Sequence, residues 1–173
     1  RAFSVSGRVR SPGVKLAPAG ISVRELVDEF CDGMLPGHEL YAFLPGGASG
    51  GILPASLAGE PLDFDTLQPH GAFIGSAAVI VLSQHDRAVD AARNLMAFFR
   101  DESCGQCTPC RVGTAKAASE IAGGDWNVAL LRELSTTMMD ASICGLGQAA
   151  PNPVLSVLRY FAHELGPDDG GGR

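Results

Sequence analysis

The hydrophobic period changes once along this chain, near residue 84, and that change constrains the fold more than any other feature. Phe3, Val5 and Val9 keep two-residue spacing, Ser11-Pro12-Gly13 supplies turn chemistry, and Val14 and Leu16 resume the alternation. A strand hairpin is predicted there. Ser22 and Glu25 form a capping-box signature, and Val23, Leu26, Val27, Phe30 and Cys31 then fall at i, i+3, i+4, i+7 and i+8, one face of a helix that Gly33 is placed to stop. Stretches 41–44 and 71–82 supply further strands, separated in part by a Gly/Pro-rich loop over 45–54. Residues 1–83 are therefore expected to form a small sheet crossed by one helix.

From residue 84 onward the spacing is helical. Asp86, Thr108, Asp125 and Asn152 read as N-caps, Pro109 and Pro153 occupy first-turn positions, and Gly123-Gly124 and Gly166-Pro167 read as stops. Four helices follow. Val89, Ala92, Met96 and Phe99 share one face of the first; Leu130, Leu134 and Met138 do so on the third, and Val154, Leu158, Phe161 and Leu165 on the fourth. Such faces suit a four-helix bundle over 84–166, with Trp126 anchoring its core. The whole is an α+β chain of two small domains. A polar, Gly-rich tail at 167–173 is expected to be disordered.

With 13 basic against 19 acidic residues and a formal charge of −6, the chain offers no basic stripe for phosphates, which argues against nucleic acid. The longest strongly apolar run, 77–82, is too short to span a bilayer, and no basic-then-apolar signal opens the chain, so a cytoplasmic protein without membrane contact is expected. The first residue, Arg1, runs directly into strand spacing, as if the start belonged to something longer.

Five cysteines are an odd number, and three of them lie within seven residues, poor material for disulfides. Cys104-Gly-Gln-Cys107-Thr-Pro-Cys110 is a C-x₂-C-x₂-C run, and Cys144 stands well apart. A cubane needs a thiolate on each of four irons, so one loop can wrap three corners while a remote loop closes the fourth. Thr108 and Pro109 would start a helix inside the motif and aim free N–H groups at a negatively charged cluster. Gly105, Gly145 and Gly147 would let backbone approach the sulfurs. Cys104, Cys107, Cys110 and Cys144 are accordingly the candidate ligands of one [4Fe–4S] cluster, with Arg111 as a nearby positive charge. The bacterial ferredoxin continuation C-x₃-C-P is absent, since Arg111-Val112-Gly113 leads to Thr114.

Other assignments stay open at this level. A structural Zn²⁺ takes four cysteines, though usually as two C-x₂₋₄-C pairs. A redox-active C-x-x-C needs only two and leaves the others unexplained. Cys31 completes an apolar helix face, where a free cysteine acts as a small hydrophobe. The segment Gly46-Gly-Ala-Ser-Gly-Gly51 lacks the lysine and the flanking strand and long helix of a phosphate loop, so it reads as a structural loop. His38, His70, His85 and His163 are scattered and suggest no metal.

The residues Glu102-Ser-Cys-Gly-Gln-Cys-Thr-Pro-Cys-Arg-Val-Gly-Thr114, with Ser142-Ile-Cys-Gly-Leu-Gly147, resemble the cluster signature of a known family. It is the flavoprotein subunit that carries NADH chemistry in respiratory complex I, NAD-reducing hydrogenases and cytoplasmic NAD-dependent formate dehydrogenases. The resemblance implies a β-grasp-like SLBB domain over 1–83, with the Gly46-Gly-Ala-Ser-Gly50 loop, and a four-helix cluster domain over 84–166. It also implies that this chain is the C-terminal part of such a subunit, with FMN and NAD bound in a preceding domain, since no dinucleotide or FMN motif occurs here. Electrons would pass singly from FMN through the cluster to the next centre, beside a 2Fe–2S subunit and a catalytic iron–sulfur subunit. Gly145-Leu-Gly-Gln-Ala-Ala-Pro-Asn-Pro153 lacks the tryptophan of the complex I branch, and Leu44-Pro-Gly-Gly-Ala-Ser-Gly-Gly-Ile-Leu-Pro54 leans toward the formate dehydrogenase β subunit.

Overall fold

Backbone pairing in the first half follows from where the apolar alternation falls. The computed structural model describes residues 1–166, so the tail expected at 167–173 lies outside the described residues. Strand β1 (Ala2–Gly7) turns through Ser11-Pro12-Gly13 into β2 (Gly13–Leu16), antiparallel, with Phe3 opposite Lys15. β3 (Leu40–Leu44), β4 (Leu53–Pro54) and β5 (Ala78–Ser83) complete a five-stranded sheet of order β2-β1-β5-β3-β4. β5 runs parallel to β1, with Val5 opposite Val79, and antiparallel to β3, with Phe43 opposite Val81. Phe3, Val5, Phe43, Val79 and Val81 are buried, as a period of two requires. Val14 and Leu16 also alternate, but on the sheet edge they remain 73% and 79% exposed.

Between β2 and β3 lies one helical segment. Ser22 Oγ accepts from the Glu25 N–H at 3.2 Å while the Glu25 carboxylate accepts from the Ser22 N–H at 2.9 Å, which closes the capping box. Helix α1 (Val23–Glu25) passes into a π-helical stretch, Leu26–Phe30. Val23, Leu26, Val27 and Cys31 are buried as the face predicts; the wider turn leaves Phe30 at the margin. Gly33, at φ +79°, ends it. Inside the stretch expected to be loop, Leu53 pairs with Phe43, an edge strand short enough to tolerate Pro54. The rest of that stretch is a structural turn: a side chain at Gly46 would collide with the carbonyls of Phe73 and Ile74, and the Phe73 N–H donates to the Gly50 carbonyl at 3.1 Å.

The chain divides into two compact units between Arg87 and Ala88. In the second unit, α2 (Ala88–Glu102), α3 (Thr108–Ile121), α4 (Val128–Ala141) and α6 (Asn152–Tyr160) form a circuit in which α2 packs on α3 and α6, and α4 on α3 and α6. A fifth helix, α5 (Gly145–Ala149), and a 3₁₀ turn (Ala162–Leu165) lie between and after them, so among the described residues this unit has five α-helices rather than four. α2 buries Val89, Ala92, Met96 and Phe99 as expected. α4 is rotated: Leu131, Ser135 and Met138 are buried, while Leu130 and Leu134 sit half-buried.

None of the four expected caps holds its position. Asn127, not Asp125, accepts from the Leu130 N–H at 3.1 Å, and Cys107 and Pro151, not Thr108 and Asn152, occupy the cap positions of α3 and α6. At α2 the amides of Ala88 and Val89 donate to the Glu164 carboxylate at 3.1 and 2.9 Å. Asp86 instead accepts from Arg8 and from the Ser83 N–H. Trp126 is buried, and its indole N–H has no partner among the described residues. Among those residues no helix is long and apolar enough to cross a membrane.

Candidate functional site

Four of the five cysteines line one small hollow, a cavity of about 100 Å³ bounded by Cys104, Cys107, Cys110 and Cys144 with Glu102, Ser103, Gln106 and Leu146. Local sequence explains how they arrive there. α2 ends at Glu102, and Gly105, in the left-handed region at φ +76°, turns the chain back so that Cys104 and Cys107 share a loop. Cys107 is then the N-cap of α3, and Cys110 stands on the first turn of that helix, three residues on and hence on the same face. Cys144 is the N-cap of α5, the short helix that sequence periodicity did not reveal. Cys110 is buried, Cys107 half-buried, and Cys104 and Cys144 exposed. Cys31 lies in the first unit, fully buried on the apolar face of its helix.

Cys107 sits among hydrogen-bond donors that favour its thiolate. The N–H of Ile143, the N–H of Cys110 and, less strongly, its own N–H hold its thiol below the ordinary range, against a desolvation that opposes them. Burial pushes the Cys31 thiol the other way. The Cys144 loop thus supplies a donor to a cysteine of the C-x₂-C-x₂-C run. Ser103 Oγ lies 3.2 Å from Cys110 Sγ, and Thr114 Oγ1 donates to the Cys110 carbonyl at 2.7 Å.

The three glycines play different parts. Gly147 packs on Cys110, where a Cβ would come within 2.8 Å of the cysteine's own Cβ. Gly105 serves the turn, and the space around Gly145 is open. Arg111 reaches back from α3 to donate to the Gly105 carbonyl and to Thr108 Oγ1, the latter at 3.3 Å, and so ties down the 104–107 loop.

The donor set suits a cluster. Thiols spread around a hollow, two of them at the N-cap positions of helices, match a negatively charged body with several corners. Ser103, Ser142 and α5 are the parts of the site that the sequence reading did not single out, although both serines stand beside ligand candidates in the two motifs.

Residues 90–167 match the NADH-ubiquinone oxidoreductase-F iron-sulfur binding region, a 4Fe–4S family. The cofactor carried by that family is a [4Fe–4S] cluster. The mitochondrial NADH-ubiquinone oxidoreductase 51 kDa subunit of Neurospora crassa is 37% identical over 171 residues, which cover 94% of this chain and 36% of that protein. NADP-reducing hydrogenase subunit HndC of Solidesulfovibrio fructosivorans is 34% identical over 171 residues, 95% of this chain and 35% of that one. A crystal structure of an NAD⁺-reducing [NiFe]-hydrogenase in the H₂-reduced state superimposes with a TM-score of 0.82 at 32% identity, covering 98% of this chain and 30% of the hydrogenase chain. The chain therefore spans well under half the length of these relatives.

Proposed function

We propose that Cys104, Cys107, Cys110 and Cys144 bind one [4Fe–4S] cluster that relays single electrons within an NAD-linked flavoprotein. The single observation that carries this reading is that all four thiols, from loops far apart in sequence, line one cavity. The cluster supplies a one-electron store; the chain holds it, screens part of it from water through buried Cys110, and presents N–H and O–H donors to its thiolates. Hydride from NADH carries two electrons, so a flavin must stand between NADH and such a centre. We place FMN and NAD in a further segment, as the greater length of the relatives suggests, and place the next centre in a partner subunit, with 2Fe–2S and catalytic iron–sulfur subunits as the expected neighbours. Asn152-Pro153 and the 44–54 loop favour a formate dehydrogenase as the parent complex; the relatives named above favour complex I or a hydrogenase as the second reading.

Purified protein should absorb broadly in the visible and contain about four irons and four sulfides per chain. A colourless protein with stoichiometric zinc would overturn the reading and favour a partner-docking module. Stopped-flow mixing of this chain with NADH should leave its cluster oxidised unless a flavoprotein is added; reduction at a catalytic rate without flavin would misplace the nucleotide site.

A further inference from the structure

Ser142 has a hydroxyl with no assigned use. It is 5% exposed, its N–H donates to the Met138 carbonyl at 3.2 Å, and its carbonyl accepts from Gln148 Nε2 at 3.0 Å, so its backbone is satisfied. Oγ alone finds no protein partner among the described residues. A buried hydroxyl left without a partner is costly, and such groups in native proteins have a reason. This one is crowded by Gly147, where a Cβ would come within 2.5 Å of Oγ and 2.8 Å of the Cys110 Cβ, so it is held against the cysteine cage and not in bulk water.

Ser103 repeats the relationship from another segment. Its Oγ lies 3.2 Å from Cys110 Sγ and also accepts from the Gly105 N–H at 3.4 Å. That N–H occupies an oxygen lone pair and leaves the hydroxyl proton for sulfur. A cysteine sulfur bonded to iron has no proton to give, so between Ser103 and a ligated Cys110 the hydroxyl must be the donor.

We infer that Ser103 and Ser142 are a pair of hydroxyl donors to the thiolate sulfurs of the cluster, Ser103 to Cys110 and Ser142 to the cysteine cage it is packed against, and that they raise its reduction potential. The inference rests on the cysteine assignment above. Reduction adds one negative charge to the cluster and its thiolates, so an O–H···S bond strengthens in the reduced form and favours it. Neither hydroxyl is a ligand or exchanges an electron; both position charge.

The test uses the full-length protein with its cluster. Ser103→Ala, Ser142→Ala and the double variant are titrated potentiometrically with electron paramagnetic resonance detection, and the reduced cluster of each is compared in H₂O and D₂O by electron–nuclear double resonance. Each alanine should lower the midpoint, the double variant by the sum, and each should remove one exchangeable proton coupling. A tenfold fall in the reduced-to-oxidised ratio at fixed potential corresponds to about 59 mV for one electron. Ser103→Thr, which keeps the hydroxyl, should restore both readouts at that position. Wild-type midpoints and proton couplings in fully loaded alanine variants would overturn the inference while leaving the ligands in place. Should an alanine variant load no cluster, the glycine variant at that position is titrated in its stead. A wild-type protein without iron or visible absorption would overturn the cysteine assignment first and this inference with it.

Discussion

Gly147 and Cys110 are in direct contact, with so little room between α5 and the third cysteine that a Cβ on the glycine would stand 2.8 Å from the cysteine's Cβ. Gly147→Ala is therefore expected to push α5 and Cys144 away from the other thiols. Overpacking of this kind costs about 1–3 kcal/mol. Iron analysis should show reduced cluster content together with a lowered unfolding midpoint, whereas Gly145→Ala, in open space, should load normally.

Replacing any one of Cys104, Cys107, Cys110 or Cys144 by Ser should reduce or abolish cluster incorporation. Cys31→Ser should not. Since Cys31 is fully buried among apolar side chains, the new hydroxyl should destabilise the first unit by about 1–3 kcal/mol instead. Iron and sulfide assays beside denaturant curves separate the two effects, and full occupancy without Cys144 would remove it from the ligand set.

Arg111→Gln should lower the midpoint potential. The guanidinium is held on the 104–107 loop by the Gly105 carbonyl and Thr108, so its positive charge stays beside the cavity. Because it is exposed, solvent and salt screen it, and a shift of some tens of millivolts (~10–50 mV) is expected. A redox titration with the cluster fully loaded checks this; an unchanged or raised midpoint would leave Arg111 a purely structural clamp.

Arg8 donates from Nε and NH2 to the two carboxylate oxygens of Asp86 at 3.0 and 2.8 Å, and together with the Ser83 N–H it holds the Asp86 carboxyl down at about 2. A depressed folded-state value means the pair stabilises the fold above the unfolded carboxyl's range, near 4, and that this contribution disappears as pH falls through about 2. With the Arg8 side chain 46% exposed, solvent screening keeps the contribution small. Arg8→Met should therefore lower urea stability slightly but measurably at pH 6 and have little effect near pH 2. Equal losses at both pH values would show that the charge is not what matters.

Local chemistry was legible wherever neighbours in sequence are also partners in space. Ser22 and Glu25 cap their helix, and the α2 face reads correctly, because each depends only on residues within a few turns. α4 misleads because Leu130, Leu131, Leu134, Met138 and Met139 offer two overlapping stripes, and tertiary packing chooses the one through Leu131 and Ser135. No local signal announces Glu164 as the acceptor for α2's first amides, since it lies some 75 residues away. α5 was hidden for a different reason: Gly145 and Gly147 are poor helix formers, and its five residues are held by tertiary contacts with α3 and α4. Of the site, the cysteine spacing told which thiols to look for, and only the folded chain brought in Ser142.

Cys110 and Cys144 stand at the two ends of the α3–α4 pair and yet line one cavity. Anything bonded to both rivets a chain loop of about 35 residues shut, which in the loop-entropy picture restricts the unfolded chain by about 4 kcal/mol, as a disulfide of that span would. Loss of the rivet would then loosen the second unit before it empties any electron path: amide exchange should accelerate first over α5 and the start of α3, where the cysteines replace the polar side chains that ordinarily cap a helix.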